Sequence, residues 1–279
     1  MSYPYVKCIP VILFVYFVQL IHASDNPFLA GARETGMANA ILTLGTTWSV
    51  YHNPAGIAGN SNPSFGFSYH NQFFLEEMST RSFAAIWPYE KGGFAASYSY
   101  YGTQIYNEQK TAIGYAHKLS EKIDAGILID VFTSKLPGEY ETVRTIAGEI
   151  GLNAHPIDQL SIGIHVKNIS NSAYSKYIKQ QPKSWFRAGL TWNESDFLIG
   201  TQVQLKQDGN TLLSLGTEIN VVKNFDVRAG ISKNETTSLT FGMGYKQQRW
   251  RGDIAFARHP QLGFSSFISV EFYLGVTDR

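Results

Sequence analysis

Several absences narrow the reading of this sequence before any motif does. Cysteine occurs once in 279 residues, at Cys8, which leaves no disulfide framework and no thiolate metal centre. Charged residues make up only 16% of the chain, against about 25% in an average soluble protein. The 23 basic and 22 acidic side chains nearly cancel, so neither a basic patch for nucleic acid nor an acidic disordered block is present. No apolar run approaches the roughly 20 residues of a membrane-spanning helix. From residue 64 onward no segment carries a convincing helical period either.

Catalytic and metal-binding constellations are also missing. Beyond residue 23 the histidines are His52, His70, His117, His155, His165 and His259; none has the i,i+4 spacing of a helical metal site and none accompanies a cysteine. His117 falls on the apolar face of its segment beside Tyr115, where a lipid-facing esterase would need a histidine, but no triad completes it. No glycine-rich phosphate loop occurs. Arg251-Gly252-Asp253 lies inside an alternating segment and reads as strand, not as an adhesion tripeptide. The expectation is a non-enzymatic protein with no cofactor.

What is there begins with an export leader. Lys7 precedes IPVILFVYFVQLI, and Ala23 and Ser24 follow as small residues suited to cleavage. We therefore divide the chain into a signal peptide over 1–23, an N-terminal segment over 24–62 and a long β-rich region over 63–279. Loss of the leader removes Cys8 as well.

The β-rich region is governed by period two. In Leu160-Ser-Ile162-Gly-Ile164-His-Val166 and Phe225-Asp-Val227-Arg-Ala229-Gly-Ile231 apolar residues take one face and small or polar residues the other. About fourteen such segments follow one another. Most are 9–11 residues long, the length of a tilted membrane-spanning strand, whereas globular strands average about 5–6. Their polar faces mix Gly, Ala and Ser with Asp124, Asp130, Glu149, His165, Arg187, Glu218, Asp226, Arg228, Arg251, Asp253 and Glu271. Small residues beside opposite charges suit a crowded wet lumen. Connections alternate between short (YEKG, LSE, HPIDQ, ESD, VKN, QQR) and mostly longer (GTQIYNEQ, KLPGEYE, SNSAYSKYIKQQPK, RHPQLG). Outer-membrane barrels show this asymmetry, with short periplasmic turns and longer outer loops. Aromatic residues, among them Trp87, Tyr89, Tyr115, Trp185, Trp192, Tyr245, Trp250 and Tyr273, fall toward segment ends, the headgroup depth. The predicted fold is all-β: a transmembrane antiparallel β-barrel of about 14 strands, with a short helical and turn segment at its periplasmic mouth.

That N-terminal segment carries a motif pair. Gly31-Ala32-Arg33 and Gly36-Met37-Ala38-Asn39-Ala40 are followed by Asn53-Pro54-Ala55-Gly56. Met37–Leu42 can form a short helix with Thr35 as N-cap. Asn53-Pro54 opens a turn in which the Asn side chain bonds the backbone two residues on. Over about thirty residues the pattern resembles the opening of the PorV/PorQ-like branch of the FadL outer-membrane superfamily. Asn39 stands where that pattern usually has a second glycine, and Gly45-Thr46-Thr47 replaces its acidic residues. The resemblance implies a fourteen-stranded barrel in the bacterial outer membrane, surrounded by lipid. It implies two functional readings. One is a non-enzymatic accessory of type IX protein secretion that meets a translocon or an exported protein. The other is a FadL-like passive channel for hydrophobic small molecules such as long-chain fatty acids. The candidate plug or gate residues are Gly31, Arg33, Gly36, Met37, Asn53, Pro54 and Gly56. On the longest outer loop, Tyr174, Lys176, Tyr177 and Lys179 join aromatic contact to positive charge and are candidates for partner contact.

Overall fold

Strict alternation over fourteen consecutive segments leaves one arrangement in which every backbone group is paired: a sheet closed on itself. The structure, a computed structural model, describes residues 28–135, 142–169 and 184–275. Its strands are β1 (Ser64–Asn71), β2 (Ser79–Tyr89), β3 (Gly92–Gly102), β4 (Asn107–Ser120), β5 (Ile123–Lys135), β6 (Val143–Ile157), β7 (Leu160–Lys167), β8 (Trp185–Asn193), β9 (Phe197–Lys206), β10 (Thr211–Val222), β11 (Phe225–Lys233), β12 (Thr237–Lys246), β13 (Trp250–His259) and β14 (Gly263–Tyr273). Each pairs antiparallel with its sequence neighbours, and β1 also pairs with β14, Ser64 lying opposite both Tyr273 and Ile86. The ring has no free edge.

The predicted phase of the connections holds. One end carries only the tight links 90–91, 121–122, 158–159, 194–196, 223–224 and 247–249. The three register shifts, at Lys118/Ser120, Ala154/Ile157 and Asn220/Val222, lie at this same short-turn end. The opposite end carries the longer links 72–78 and 168–184, but also links of three or four residues at 103–106, 207–210, 234–236 and 260–262. The expected long connection RHPQLG is thus a tight one, because β13 and β14 extend into it.

Burial is inverted relative to a soluble barrel. Outward-facing Ile113, Ile127, Ile146, Phe241 and Ile268 are more than half exposed. The eleven charged or histidine side chains predicted for the lumen are all buried, from Asp124 to Glu271. Exposing a full face of Ile and Phe to water would be unfavourable by about 25 cal/mol per Å², so the outer surface is built for an apolar surrounding. Trp87 and Tyr89, both exposed, and Tyr115, Trp192 and Tyr245 ring the short-turn end. Trp185 departs from this pattern: it turns inward and is 5% exposed, because it begins β8 on the lumen face, where Lys167 and Arg187 cover its ring.

The N-terminal segment occupies the lumen. It contains α1 (Ala32–Gly36), α2 (Ser49–His52) and a 3-10 turn over Pro54–Gly59. It reaches well past the mouth, since Phe28 packs on Phe132 and Ala147 in the half of the barrel nearer the long loops. The short helix also differs from expectation. It forms over Ala32–Gly36 and not over Met37–Leu42, because Ala38 and Asn39 take left-handed backbone angles (φ 53° and 58°). Thr35 caps nothing at its N-terminus; its hydroxyl donates back to the Gly31 carbonyl. Local propensity yields here to contact with the wall, where the Ala38 N–H donates to Thr240 Oγ1 at 3.1 Å.

Candidate functional site

Two anchors hold the segment in the lumen. The first is the Asn53–Gly59 turn, packed against β3, β4, β5 and β6 near their short-turn ends. As expected of Asn before Pro, Asn53 Oδ1 accepts from the Ala55 N–H at 3.1 Å. Its Nδ2 donates to Asn153 Oδ1 on β6 (2.9 Å), and Asn153 in turn donates to the Thr43 carbonyl. Close approach, not backbone freedom, explains the glycines. A β-carbon on Gly151 would overlap Asn53 Oδ1, and one on Gly126 would overlap the Pro54 carbonyl. Within the segment, a β-carbon on Gly56 would meet the Leu44 carbonyl oxygen at 2.6 Å. Trp48, Val50, Tyr51 and Ile57 then cover the apolar lumen residues Ala84, Ile86, Ala95, Ala112 and Leu128.

The second anchor is ionic. Gly31, with φ at 92°, lets the chain turn into α1 and donates its N–H to Ser68 Oγ. Arg33 then reaches Glu218 on β10 through two hydrogen bonds, Nε to Oε2 at 2.8 Å and Nη2 to Oε1 at 2.6 Å. Glu218 also receives Arg228 and Arg251, which pair with Asp226 and Asp253. Three guanidiniums thus meet three carboxylates in a network removed from solvent. Gly36 and Met37 lie against Gly242 and Gly216 of the wall. All seven residues expected to form the plug are therefore inside the barrel, divided between these two anchors.

Sequence reasoning overlooked Glu34, Trp48 and Lys110. Glu34 is fully buried beside Arg33; one oxygen accepts from Thr46 Oγ1 at 3.1 Å and the other has no partner among the described residues. Burial, and next the charge of Glu271, pushes its carboxyl up to about 8. Burial likewise pulls the His52 imidazole down to about 3, with Nε2 facing the Ala30 carbonyl at 2.9 Å. Lys110 joins a second network on the far wall, 3.1 Å from Asp130 and 3.2 Å from Glu149. Glu149 is the hub there, since Lys167 and His165 also reach it. His165 is thus a hydrogen-bonded member of the lumen packing.

Of the other expectations, Tyr115 and His117 do share the outer face, with Oη 3.1 Å from Nδ1. Arg251 and Asp253 belong to the ionic anchor. Tyr174, Lys176, Tyr177 and Lys179 lie outside the described residues, as does the leader. Among the described residues no group of three His, Cys, Asp or Glu side chains is arranged to hold a metal ion.

No family model and no curated protein matches the sequence. Solved structures do match the fold. The toluene transporter TbuX of Ralstonia pickettii aligns with a TM-score of 0.67 over 87% of this chain and 98% of its own, at 11% identity. The toluene transporter TodX of Pseudomonas putida gives 0.61 over 82% and 94%, also at 11% identity. A FadL homologue of Pseudomonas aeruginosa gives 0.59 over 87% and 97%, at 8% identity. At such identities the likeness is one of architecture: this chain has the closed fourteen-stranded fold of FadL-type barrels.

Proposed function

We propose that this chain is exported by a leader cleaved near Ala23, spans the bacterial outer membrane through 63–279, and closes its own lumen with 24–62. Its role on this reading is that of a non-enzymatic accessory of type IX protein secretion, in the manner of the PorV/PorQ branch that its motif pair resembles. The observation that carries the proposal is the filled lumen. Backbone-to-backbone contact along 28–60 and the Arg33–Glu218 pair leave a barrel whose resting interior is occupied by its own chain. Such a body offers surfaces and loops to a partner more readily than a path. Crosslinking in native outer membranes followed by mass spectrometry tests this. A translocon component or exported protein bound to the barrel is the expected product, and recovery of lipid alone would overturn it.

The second reading is passage of hydrophobic small molecules, favoured by the fold shared with barrels described as toluene transporters. Two features weigh against it. Strand pairing runs unbroken around the described wall, which leaves no side exit. Any axial path would pass buried charges, each costly to desolvate beside an apolar ligand. Uptake of radiolabelled fatty acid or toluene that depends on this protein would favour the second reading over the first.

A further inference from the structure

Above the plug, toward the long loops, the lumen keeps a cavity of about 260 Å³. That is room for about eight or nine waters at roughly 30 Å³ each, or for one six-carbon sugar acid. Its lining differs from the rest of the lumen in having no carboxylate among the described residues. Amides dominate, with Gln202 and Gln204 on β9 and Asn39 at the plug's left-handed turn. Arg187 supplies the buried cation, and Trp185 and Phe73 also line the cavity.

Three observations converge on this place. The first is charge. Among the described residues Lys110, Lys167 and Arg187 face only Asp130 and Glu149, and Arg187 is the member of this network that lines the cavity, whereas in the plug anchor every guanidinium has a carboxylate. A positive charge without a counter-ion in a water-poor interior is unfavourable by several kcal/mol, and an anion in the cavity would relieve it. Arg187 is 2% exposed and held in place: Nε donates to Gln204 Oε1 at 3.0 Å, Nη1 donates to the His52 carbonyl at 3.3 Å, and Cζ lies 4.6 Å from the Trp185 ring centroid, which leaves Nη2 for the anion. The second is unmet hydrogen bonding. Among the described residues Gln202 Oε1 and Trp185 Nε1, in side chains 6% and 5% exposed, have no partner, and Asn39 Oδ1 also lacks one. Such groups are normally satisfied; one donor and two acceptors match the hydroxyls and ring oxygen of a sugar. The third is strain at the rim. Phe73 and Phe74 both take left-handed angles (φ 54° and 57°), which bulky residues adopt at a cost of about 1–3 kcal/mol each. That backbone is pinned by Phe73 N–H donating to Ser265 Oγ.

We propose that this vestibule binds a small polyhydroxylated monocarboxylate, with the carboxylate on Arg187, a ring or hydroxyl oxygen accepting from Trp185 Nε1 and hydroxyls donating to Gln202 and Asn39. The proposal stands apart from the secretion reading, because a bound sugar acid is compatible with either role. The test uses the full mature barrel purified in detergent, titrated with glucuronate and followed by calorimetry and tryptophan fluorescence. Saturable glucuronate binding is expected, with glucose and acetate each at least tenfold weaker. Arg187→Gln should weaken it at least tenfold. Gln202→Met, which keeps side-chain length and removes the acceptor, should weaken it severalfold and serves if the arginine variant does not fold. Absence of saturable binding, equal binding of glucose or acetate, or unchanged affinity in the folded variants would overturn the proposal.

Discussion

Arg33 shows what a single side chain contributes to closing the lumen. Its fork meets Glu218 at 2.6 and 2.8 Å, and removing one member of a buried pair costs about 3–5 kcal/mol, because the other charge is left uncompensated. Arg33→Met should therefore lower the midpoint of urea unfolding in detergent, while Arg33→Met with Glu218→Gln should recover much of the loss. Equal stability of the single variant and the parent would show that the pair holds nothing. Its neighbour Glu34 gives a pH dependence. Its folded pKa of about 8 lies above the ordinary 4.5, so the neutral form is the one the fold accepts. Stability is full below the ordinary value and is lost as pH rises through the folded one. Thermal midpoints taken between about pH 6 and about pH 9 should fall in the parent and fall less in Glu34→Gln. Residue identity was the least legible scale of the sequence. Arg33 stood out through its motif. Glu34 and Lys110 look like ordinary surface charges until the wall surrounds them, and Trp185 looks like a headgroup anchor until β8 turns it inward. Asn39 illustrates the reverse: it is a residue that tolerates the left-handed angle found there.

At the scale of the element, strand alternation survives because both environments demand it. Ile129, in the middle of β5, is 53% exposed between Leu128 and Asp130, both buried. In a soluble barrel, Ile129→Arg would be close to neutral. On a lipid-facing strand near the bilayer midplane it should cost about 2–4 kcal/mol. Reversible unfolding into large unilamellar vesicles distinguishes the two, and a change under about 0.5 kcal/mol would contradict the lipid-facing assignment. All fourteen strands could be seen in the sequence for this reason, most within two residues of their ends. The helix could not. Met37–Leu42 has the better helical composition, but its neighbours on β10 and β11 are Gly216 and Gly230. The wall approaches the plug's backbone too closely for a regular helix there. That constraint acts between segments some two hundred positions apart, and no local window contains it.

For the whole molecule, the question is whether the plug belongs to the fold or only occupies it. Wall and plug share four apolar clusters, and in the largest Trp48, Tyr51 and Ile57 cover Ala84, Ile86 and Leu128; losing them would expose these side chains to lumen water. Strand pairing, however, closes through β1 and β14 without any contribution from residues 28–60. Backbone hydrogen bonding of the ring, the strongest demand that lipid makes, is therefore met by the wall alone. The buried carboxylates and guanidiniums would rehydrate once the lumen filled with water, which offsets part of the lost packing. Deleting 28–60 should accordingly yield a barrel that still assembles and shifts on unheated gels, but unfolds earlier than the parent and conducts ions in a planar bilayer. The parent should remain closed under the same voltage. A deletion variant that fails to assemble would make the plug an integral part of the core. One that assembles yet stays closed would mean that the wall seals itself, and the lumen would no longer account for the resting state of this protein.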